Sequence, residues 1–323
     1  MLLRLSKRSL IKRILVVSMT NIGDAVLTCP AIDILRQDFP QAQIDVVVGK
    51  KAVSLFADNP YVGIKVFDKQ APLREKYAWF LDLYRMKYDV VVDLRHTLLP
   101  LLLWPKYATP FWGGNFFKGH KRDRHLNRLR QVYDYNAPAK TRYAIVTTKE
   151  DEDFFAKEVG PSLQGRSFVV IACGAADSAK RWHAKGFAAI ADHLSGTHKV
   201  VFVGDTQDAL LIEEIQRMMK TSAVSLAGKI NLRQLAFVLK KSSWALTHDS
   251  GVLHLACYFN VPVIALWGPT DINRYAPWSN RSVIIRRNEK CVRCRDPKSP
   301  LPHNCMSFIE VEDVLNAIKK IQL

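Results

Sequence analysis

The chain has 323 residues, 48% of them hydrophobic and 24% charged, with a formal net charge of +17. That length exceeds the usual single domain of roughly 100–200 residues, and the composition excludes a disordered, collagen-like or disulfide-scaffold protein. The longest apolar runs, such as "TLLPLLLWP" at 97–105, fall short of the roughly 20 residues a membrane-spanning helix needs, so a cytoplasmic protein is expected.

The charge is uneven along the chain. Residues 1–150 carry 25 Lys and Arg against 13 Asp and Glu, and the remainder 22 against 17. A basic first half implies an anionic partner: phosphorylated lipid, a membrane surface or nucleic acid. The amino-terminal run "MLLRLSKRSLIKRILVVS" passes into a strand pattern with no small-residue cleavage site, so it does not read as a secretory signal.

The first predicted strand is "RILVVS" (13–18), followed by "IDVVVG" (44–49) and "YDVVVDL" (88–94). After the first strand, "TNIGDAVLTCPAIDILRQDFP" turns tightly at Asn21, Gly23 and Asp24 into a helix whose apolar face includes Val26, Leu27, Ala31 and Ile34. Asp24 reads either as the helix N-cap or as a carboxylate able to take a proton from a sugar hydroxyl.

Beyond residue 95 the rhythm fades into an aromatic and basic segment, 104–143. There "LLPLLLWPKYATPFWGGNFF" precedes "KGHKRDRHLNRLR" (118–130), which holds Lys118, Lys121, Arg122 and Arg124. Apolar side chains beside cations fit docking on an anionic bilayer, and a solvated basic helix beside a core segment is the plain alternative. No nucleic-acid motif accompanies the charge. The polar stretch "KEDEDFFAKEVGPSLQGR" (149–166) marks a boundary, set at 160/161, between domains 1–160 and 161–323.

Strands resume at "SFVVIAC" (167–173), "KVVFVG" (199–204), "WALTH" (244–248) and "PVIALWG" (262–268). Continuously apolar strands alternating with helices predict parallel sheets covered on both faces, an α/β architecture. Neither half carries G-x-G-x-x-G, which argues against a simple dinucleotide dehydrogenase, and a ligand cleft between two domains is expected instead.

Three strand-to-helix turns of the second half carry candidate chemistry. In "CGAADSAKRWHAKGF" (173–187), Lys180 and Arg181 can meet phosphate as a point charge and a fork. In "GDTQD" (204–208), Asp208 suits a sugar hydroxyl or a first-turn acid equally. In "HDSGVLHLA" (248–256), Ser250 and Gly251 allow a pyrophosphate to approach a helix N-terminus. His254, one turn on, can donate to a phosphate oxygen, and Asp249 suits sugar hydroxyls because a carboxylate repels phosphate. A capped helix with a surface histidine is an equal reading of that fragment alone.

Cys29, Cys173 and Cys257 lie in apolar contexts and read as reduced small hydrophobes. "CVRCRDPKSPLPHNC" supplies Cys291, Cys294, His303 and Cys305, and its C-x2-C spacing suits tetrahedral zinc. The second half of the cluster lacks a matching knuckle, so a reduced loop cluster is the reading adopted, with no metal assigned. The closing "SFIEVEDVLNAIKKIQL" (307–323) places Val311, Val314, Leu315, Ile318 and Ile321 on one face of a terminal packing helix.

Taken together, "NIGDAVLTCPAIDILRQDFP", "GAADSAKRW", "LAGKINLRQLAFVL" and "DSGVLHLACYFNVPVIALWGPTD" resemble the glycosyltransferase family 9 heptosyltransferases of lipopolysaccharide core assembly. The cysteine-bearing tail is similar too. The resemblance implies a GT-B fold of two Rossmann-like domains across a cleft, the first for a lipid A or core acceptor and the second for an ADP-sugar donor. It implies Asp24 as catalytic base in an inverting transfer. It also implies Lys180, Asp208, Asp249, Ser250, Gly251 and His254 around the donor; the charge of the Lys180 loop adds Arg181 there, and the basic patch adds Lys118, Lys121, Arg122 and Arg124 as groups facing acceptor or membrane. No cofactor is obligatory on this reading, a divalent cation is left open, and the protein sits peripherally on the inner face of the cytoplasmic membrane. The sequence departs from the family pattern where His183 stands for a common proline and where Ala175 and Ala176 replace hydroxyl residues. A non-catalytic nucleotide-sugar or anionic-lipid binder, or a member using another sugar, is the alternative.

Overall fold

Runs of Val, Ile and Leu become two separate parallel sheets in the computed structural model, which describes residues 10–18, 21–111, 118–289, 291–296 and 298–321. The start of the amino-terminal basic run and the "WGGNFF" of the aromatic segment lie outside the described residues. The chain divides into two units, Met1–Val146 and Thr147–Leu323, earlier than the expected 160/161. The polar stretch belongs to the second unit because Arg233, deep in that unit, holds the buried Asp151 carboxylate at 2.8 Å.

The first unit runs β1 (Arg13–Val17), α1 (Ile22–Asp38), β2 (Gln43–Val48), α2 (Val53–Phe56), β3 (Val62–Val66), α3 (Leu73–Arg85), β4 (Val90–Asp93), α4 (Leu99–Leu102), β5 (Tyr107–Ala108) and α5 (Lys121–Arg130). Its sheet order is β3-β2-β1-β4-β5, with every pairing parallel. Helix α1 is more enclosed than a one-faced helix. Residues Ala25 through Leu35 are buried apart from Pro30, which is half-buried. The reason is a second cover: α5 packs on α1, and the buried Asp33 carboxylate accepts the Tyr143 and Ala144 N–H groups at 2.9 Å each.

The second unit runs α6 (Lys149–Phe154), α7 (Gly160–Leu163), β6 (Phe168–Ala172), α8 (Ala184–Leu194), β7 (Lys199–Phe202), α9 (Ala209–Met218), β8 (Val224–Ser225), α10 (Leu232–Lys241) and β9 (Ala245–His248). It continues through α11 (Gly251–Tyr258), β10 (Val263–Leu266), α12 (Ile272–Tyr275), β11 (Ser282–Ile285), α13 (Val292–Arg295) and α14 (Val311–Ile321). The parallel sheet is ordered β11-β10-β9-β6-β7-β8. Helix α14 buries Val314, Ala317, Ile318 and Ile321 against this unit's core, each large aliphatic side chain adding about 1.5–3 kcal/mol relative to exposure. Among the described residues no helix is long and apolar enough to cross a membrane.

Candidate active site

In an open parallel sheet, ligands bind outside the carboxyl ends of the strands where the strand order reverses. In the second unit that point lies between β6 and β9. The loops leaving those two strands carry "GAADSAKRW" and "DSG", so the fold itself brings together two motifs about 70 residues apart in sequence.

His248, the last residue of β9, ties the loops. Its ring is fully buried, Nε2 accepts the Trp182 N–H at 2.9 Å, and Nδ1 lies 3.4 Å from the Gly174 carbonyl oxygen. Nε2 is thus the acceptor, and burial pushes the ring pKa down to about 4, which keeps it neutral. In the sequence His248 stands out only as a strand end. Its signal was a polar ring in a strand whose other positions are core.

Beyond this tie, Lys180 Nζ lies 2.7 Å from Asp249 Oδ2, and His254 Nε2 lies 3.7 Å from Oδ1. Asp249 and His254 are buried, whereas 26% of the Lys180 side chain remains exposed. The His254 ring stacks on Trp278, centroids 5.5 Å apart at 16°, a partner the sequence reading did not anticipate. His254 is therefore a buried ring aimed at the acid rather than a residue on an open helix surface. Ser250 occupies the N-cap of α11 without a side-chain cap bond. Its Oγ lies 3.1 Å from Thr247 Oγ1, and Gly251 opens the helix.

Arg181 donates from Nε to the Ala175 carbonyl at 2.8 Å, holding its own loop in shape. Asp208 sits in the crook between the β6 and β7 turns. A Cβ added at Gly174 would fall 2.1 Å from its Oδ2, and one at Gly204 2.6 Å from its Cβ. Only glycine leaves room for that carboxyl, and burial raises its pKa. The departure at His183 has a physical account: its Nδ1 accepts the Gly186 N–H at 2.8 Å and caps α8. Of the two alanines that replace hydroxyl residues, Ala175 is buried and Ala176 exposed.

In the first unit the strand order reverses between β1 and β4. The N-cap of α1 is Asn21, and Asp24 lies within the first turn, so Asp24 is not the cap. Its Oδ1 pairs with Lys121 Nζ at 2.7 Å, with 18% and 14% of the two side chains exposed. Helix α5 packs on α1 and turns Lys121 onto the acid. His125, one turn along α5, is buried, and its pKa is pushed down to about 3 chiefly by burial, with the Lys121 charge adding. Its Nε2 has no hydrogen-bond partner among the described residues. Arg128 is buried as well and donates from Nε to the Asp93 carbonyl at 3.0 Å, fastening α5 to the end of β4.

The remaining basic candidates lie on α5 or just before it. Arg122 turns onto Asp123 at 2.7 Å, Lys118 is exposed, and Arg124 is half-buried. Nearby, α4 and its flanks leave Leu98, Leu101, Leu102 and Trp104 exposed by 54%, 51%, 51% and 88%. Cys29, Cys173 and Cys257 are buried and in no disulfide, as expected of small hydrophobes. Cys291, Cys294, His303 and Cys305, read as a reduced loop, have all four ligand atoms within 4.8 Å of one another.

The family model of glycosyltransferase family 9 (heptosyltransferase) matches residues 119–304. Lipopolysaccharide heptosyltransferase 3 of Escherichia coli is 26% identical over 336 residues, covering 93% of this chain and 96% of that protein. Two solved structures resemble the whole fold. One is a glycosyltransferase of family 9 from Veillonella parvula, with a TM-score of 0.80, 23% identity and coverage of 96% and 97% of the two chains. The other is the E. coli ADP-heptose lps heptosyltransferase II, with a TM-score of 0.76, 21% identity and coverage of 96% and 98%. The two-sheet α/β architecture is the GT-B fold of these enzymes.

Proposed function

The chain belongs to glycosyltransferase family 9, the heptosyltransferases, and from that premise we propose that this enzyme moves a heptose from ADP-heptose onto the lipopolysaccharide core with inversion at the anomeric carbon. The acceptor is lipid A bearing Kdo or an already heptosylated core. The observation that carries the donor half is the meeting of Lys180, Asp249 and His254 at the carboxyl end of β9. A cation, a buried acid and a helix N-terminus there suit a diphosphate joined to a sugar.

In this reading Asp24 takes the proton of the acceptor hydroxyl. The hydroxyl oxygen bonds to the anomeric carbon as the bond from that carbon to the ADP oxygen breaks, and the electron pair leaves with ADP. Lys180, Arg181, His254 and the N–H groups opening α11 offset the charge that grows on the diphosphate, commonly the largest catalytic term. Asp249 holds sugar hydroxyls, with Lys180 shared between it and phosphate, and Asp208 serves as a second hydroxyl acceptor. The Asp24–Lys121 pair keeps the base oriented.

The first unit receives the acceptor at the cytoplasmic face of the inner membrane, consistent with its excess of cations. The test is release of ADP from ADP-heptose in the presence and absence of heptose-deficient core lipid. Acceptor-dependent release with a mass gain of one heptose on the lipid is expected. ADP release that ignores the acceptor, or transfer from another nucleotide sugar alone, overturns the assignment.

A further inference from the structure

The cysteine cluster lies outside the residues assigned to transfer, and it has the geometry of a built metal centre. Sγ of Cys294 lies 3.4 Å from His303 Nδ1 and 3.3 Å from Cys305 Sγ. Sγ of Cys291 lies 3.6 Å from the same Nδ1 and 3.4 Å from Cys305 Sγ. All three thiols are free, and these separations are far beyond a disulfide bond of about 2.05 Å. A tetrahedron built on metal–sulfur bonds of about 2.3 Å and metal–nitrogen bonds of about 2.0 Å has edges of roughly 3.5–3.8 Å, close to what is seen.

We propose that Cys291, Cys294, His303 and Cys305 bind one tetrahedral zinc-class ion, and that this ion anchors the 291–309 segment against the loop carrying Lys180. The local chain is shaped for it. Cys291 caps α13, and its carbonyl accepts the N–H groups of Cys294 and Arg295 at 3.0 and 3.1 Å, so one turn presents both sulfurs. The chain then leaves through a turn closed by Ser299 N–H on the Asp296 carbonyl, fastened by a hydrogen bond from Arg293 to the Ser299 carbonyl. It returns with His303 and Cys305 separated by the single residue Asn304.

Three thiolates and an imidazole select a soft or borderline dication over magnesium or calcium. With four protein ligands no position is left for substrate, so the site is structural. One dication and three thiolates sum to a single negative charge, which Arg293, Arg295 and Lys298 surround in sequence. A disulfide reading leaves one thiol and the imidazole without a role, whereas a metal uses all four groups.

Beyond the ligands the segment touches the donor loop directly. Met306 is buried beside Gly268, its Sδ 2.9 Å from where a Cβ would stand, and the Ala179 carbonyl oxygen lies 3.4 Å from the same point. The short turns Ser178–Lys180 and Cys305–Phe308 are in contact. Trp182 Nε1 donates to the Ile309 carbonyl at 2.8 Å. An ion that fixes Cys305 thereby fixes the wall against which Lys180 is placed, whichever sugar the enzyme transfers.

The experiment uses the full chain, purified without chelator from medium containing both zinc and iron. Elemental analysis is expected to find roughly one zinc per chain. Cobalt substitution is expected to give the thiolate charge-transfer and d–d bands of a tetrahedral site. Cys294→Ser and His303→Ala are expected to lower zinc content at least tenfold. Because a variant can fail to fold, the wild-type protein is also stripped with a strong chelator and followed by hydrogen exchange. Amides of 178–182 and 305–309 are expected to exchange at least tenfold faster than in the loaded protein, and readdition of zinc reverses this. Absence of bound metal, a native disulfide among the three cysteines, or iron in place of zinc overturns the zinc assignment. Faster exchange confined to 291–305 overturns the link to the Lys180 loop.

Discussion

Lys180 Nζ and Asp249 Oδ2 stand 2.7 Å apart although 69 residues separate them in sequence. The pair is asymmetric: the acid side chain is 7% exposed and the ammonium side chain 26%. Removing the lysine therefore strands a buried carboxylate, while removing the acid leaves a cation that reaches water. Lys180→Met should cost roughly 1–3 kcal/mol of stability, below the 3–5 kcal/mol typical of breaking a fully buried pair because the lysine is partly solvated. Asp249→Asn should cost less, and the double variant less than the sum, with a coupling of at least about 0.5 kcal/mol. Denaturant unfolding of the four proteins checks this, and strict additivity would mean that the contact carries no energy. Weaker binding of ADP by Lys180→Met, read by calorimetry, is expected alongside.

A second prediction concerns the base. Asp24→Asn preserves the shape of the first turn of α1 but cannot accept a proton. The transfer rate should fall roughly 10²–10⁴-fold, the usual contribution of a positioned general base. Binding of ADP should stay within about twofold, because ADP is assigned to the other unit. Full transfer activity in Asp24→Asn would remove Asp24 from the mechanism.

The buried His248 makes stability depend on pH in a defined direction. Its folded pKa is about 4 against an ordinary 6.5, the first cause being burial. The unfolded chain thus binds the extra proton first as pH falls, so the contribution is fully present above about pH 6.5 and is lost as pH drops through about 4, on the order of 3 kcal/mol in all. His248→Asn should be less stable at pH 7, where it loses the bond from Trp182 N–H. It should also show a shallower fall in stability between pH 6.5 and 4. Urea midpoints measured across that window decide it, and parallel curves for the two proteins would refute the assignment.

Trp104, 88% exposed beside the exposed Leu101 and Leu102, supplies an optical handle for testing the proposed membrane docking. Tryptophan emission of the full chain should shift to the blue on adding vesicles that contain anionic lipid, and less with neutral vesicles. Trp104→Ala should weaken vesicle binding roughly tenfold, corresponding to about 1.4 kcal/mol of lost apolar burial. Equal binding by Trp104→Ala would leave the exposed apolar cluster without this role.

Much of the fold was legible because central strands are continuous apolar runs. "RILVV", "FVVIA", "ALTH" and "VIAL" all appear as strands of the two sheets. The edge strands β3, β5, β8 and β11 were missed. They are short and partly exposed, as in the half-buried "VGIKV" of β3, so burial on both faces imposes no apolar run on them. The boundary drawn at 160/161 followed polarity, whereas the division after Val146 follows packing, in particular the burial of Asp151 against Arg233.

For the site, residue chemistry alone placed Asp24, Lys180, Asp249 and His254 at strand-to-helix turns, where local patterning and backbone N–H groups predict ligand binding. Only the tertiary structure decided their partners. That Lys121 turns onto Asp24, that Lys180 meets Asp249, that His248 ties two loops and that His303 joins three cysteines are contacts between segments whose sequence spacing is arbitrary. Hydrophobic periodicity specifies which face of an element is buried, but the strand order of the open sheets determines which loops become neighbours.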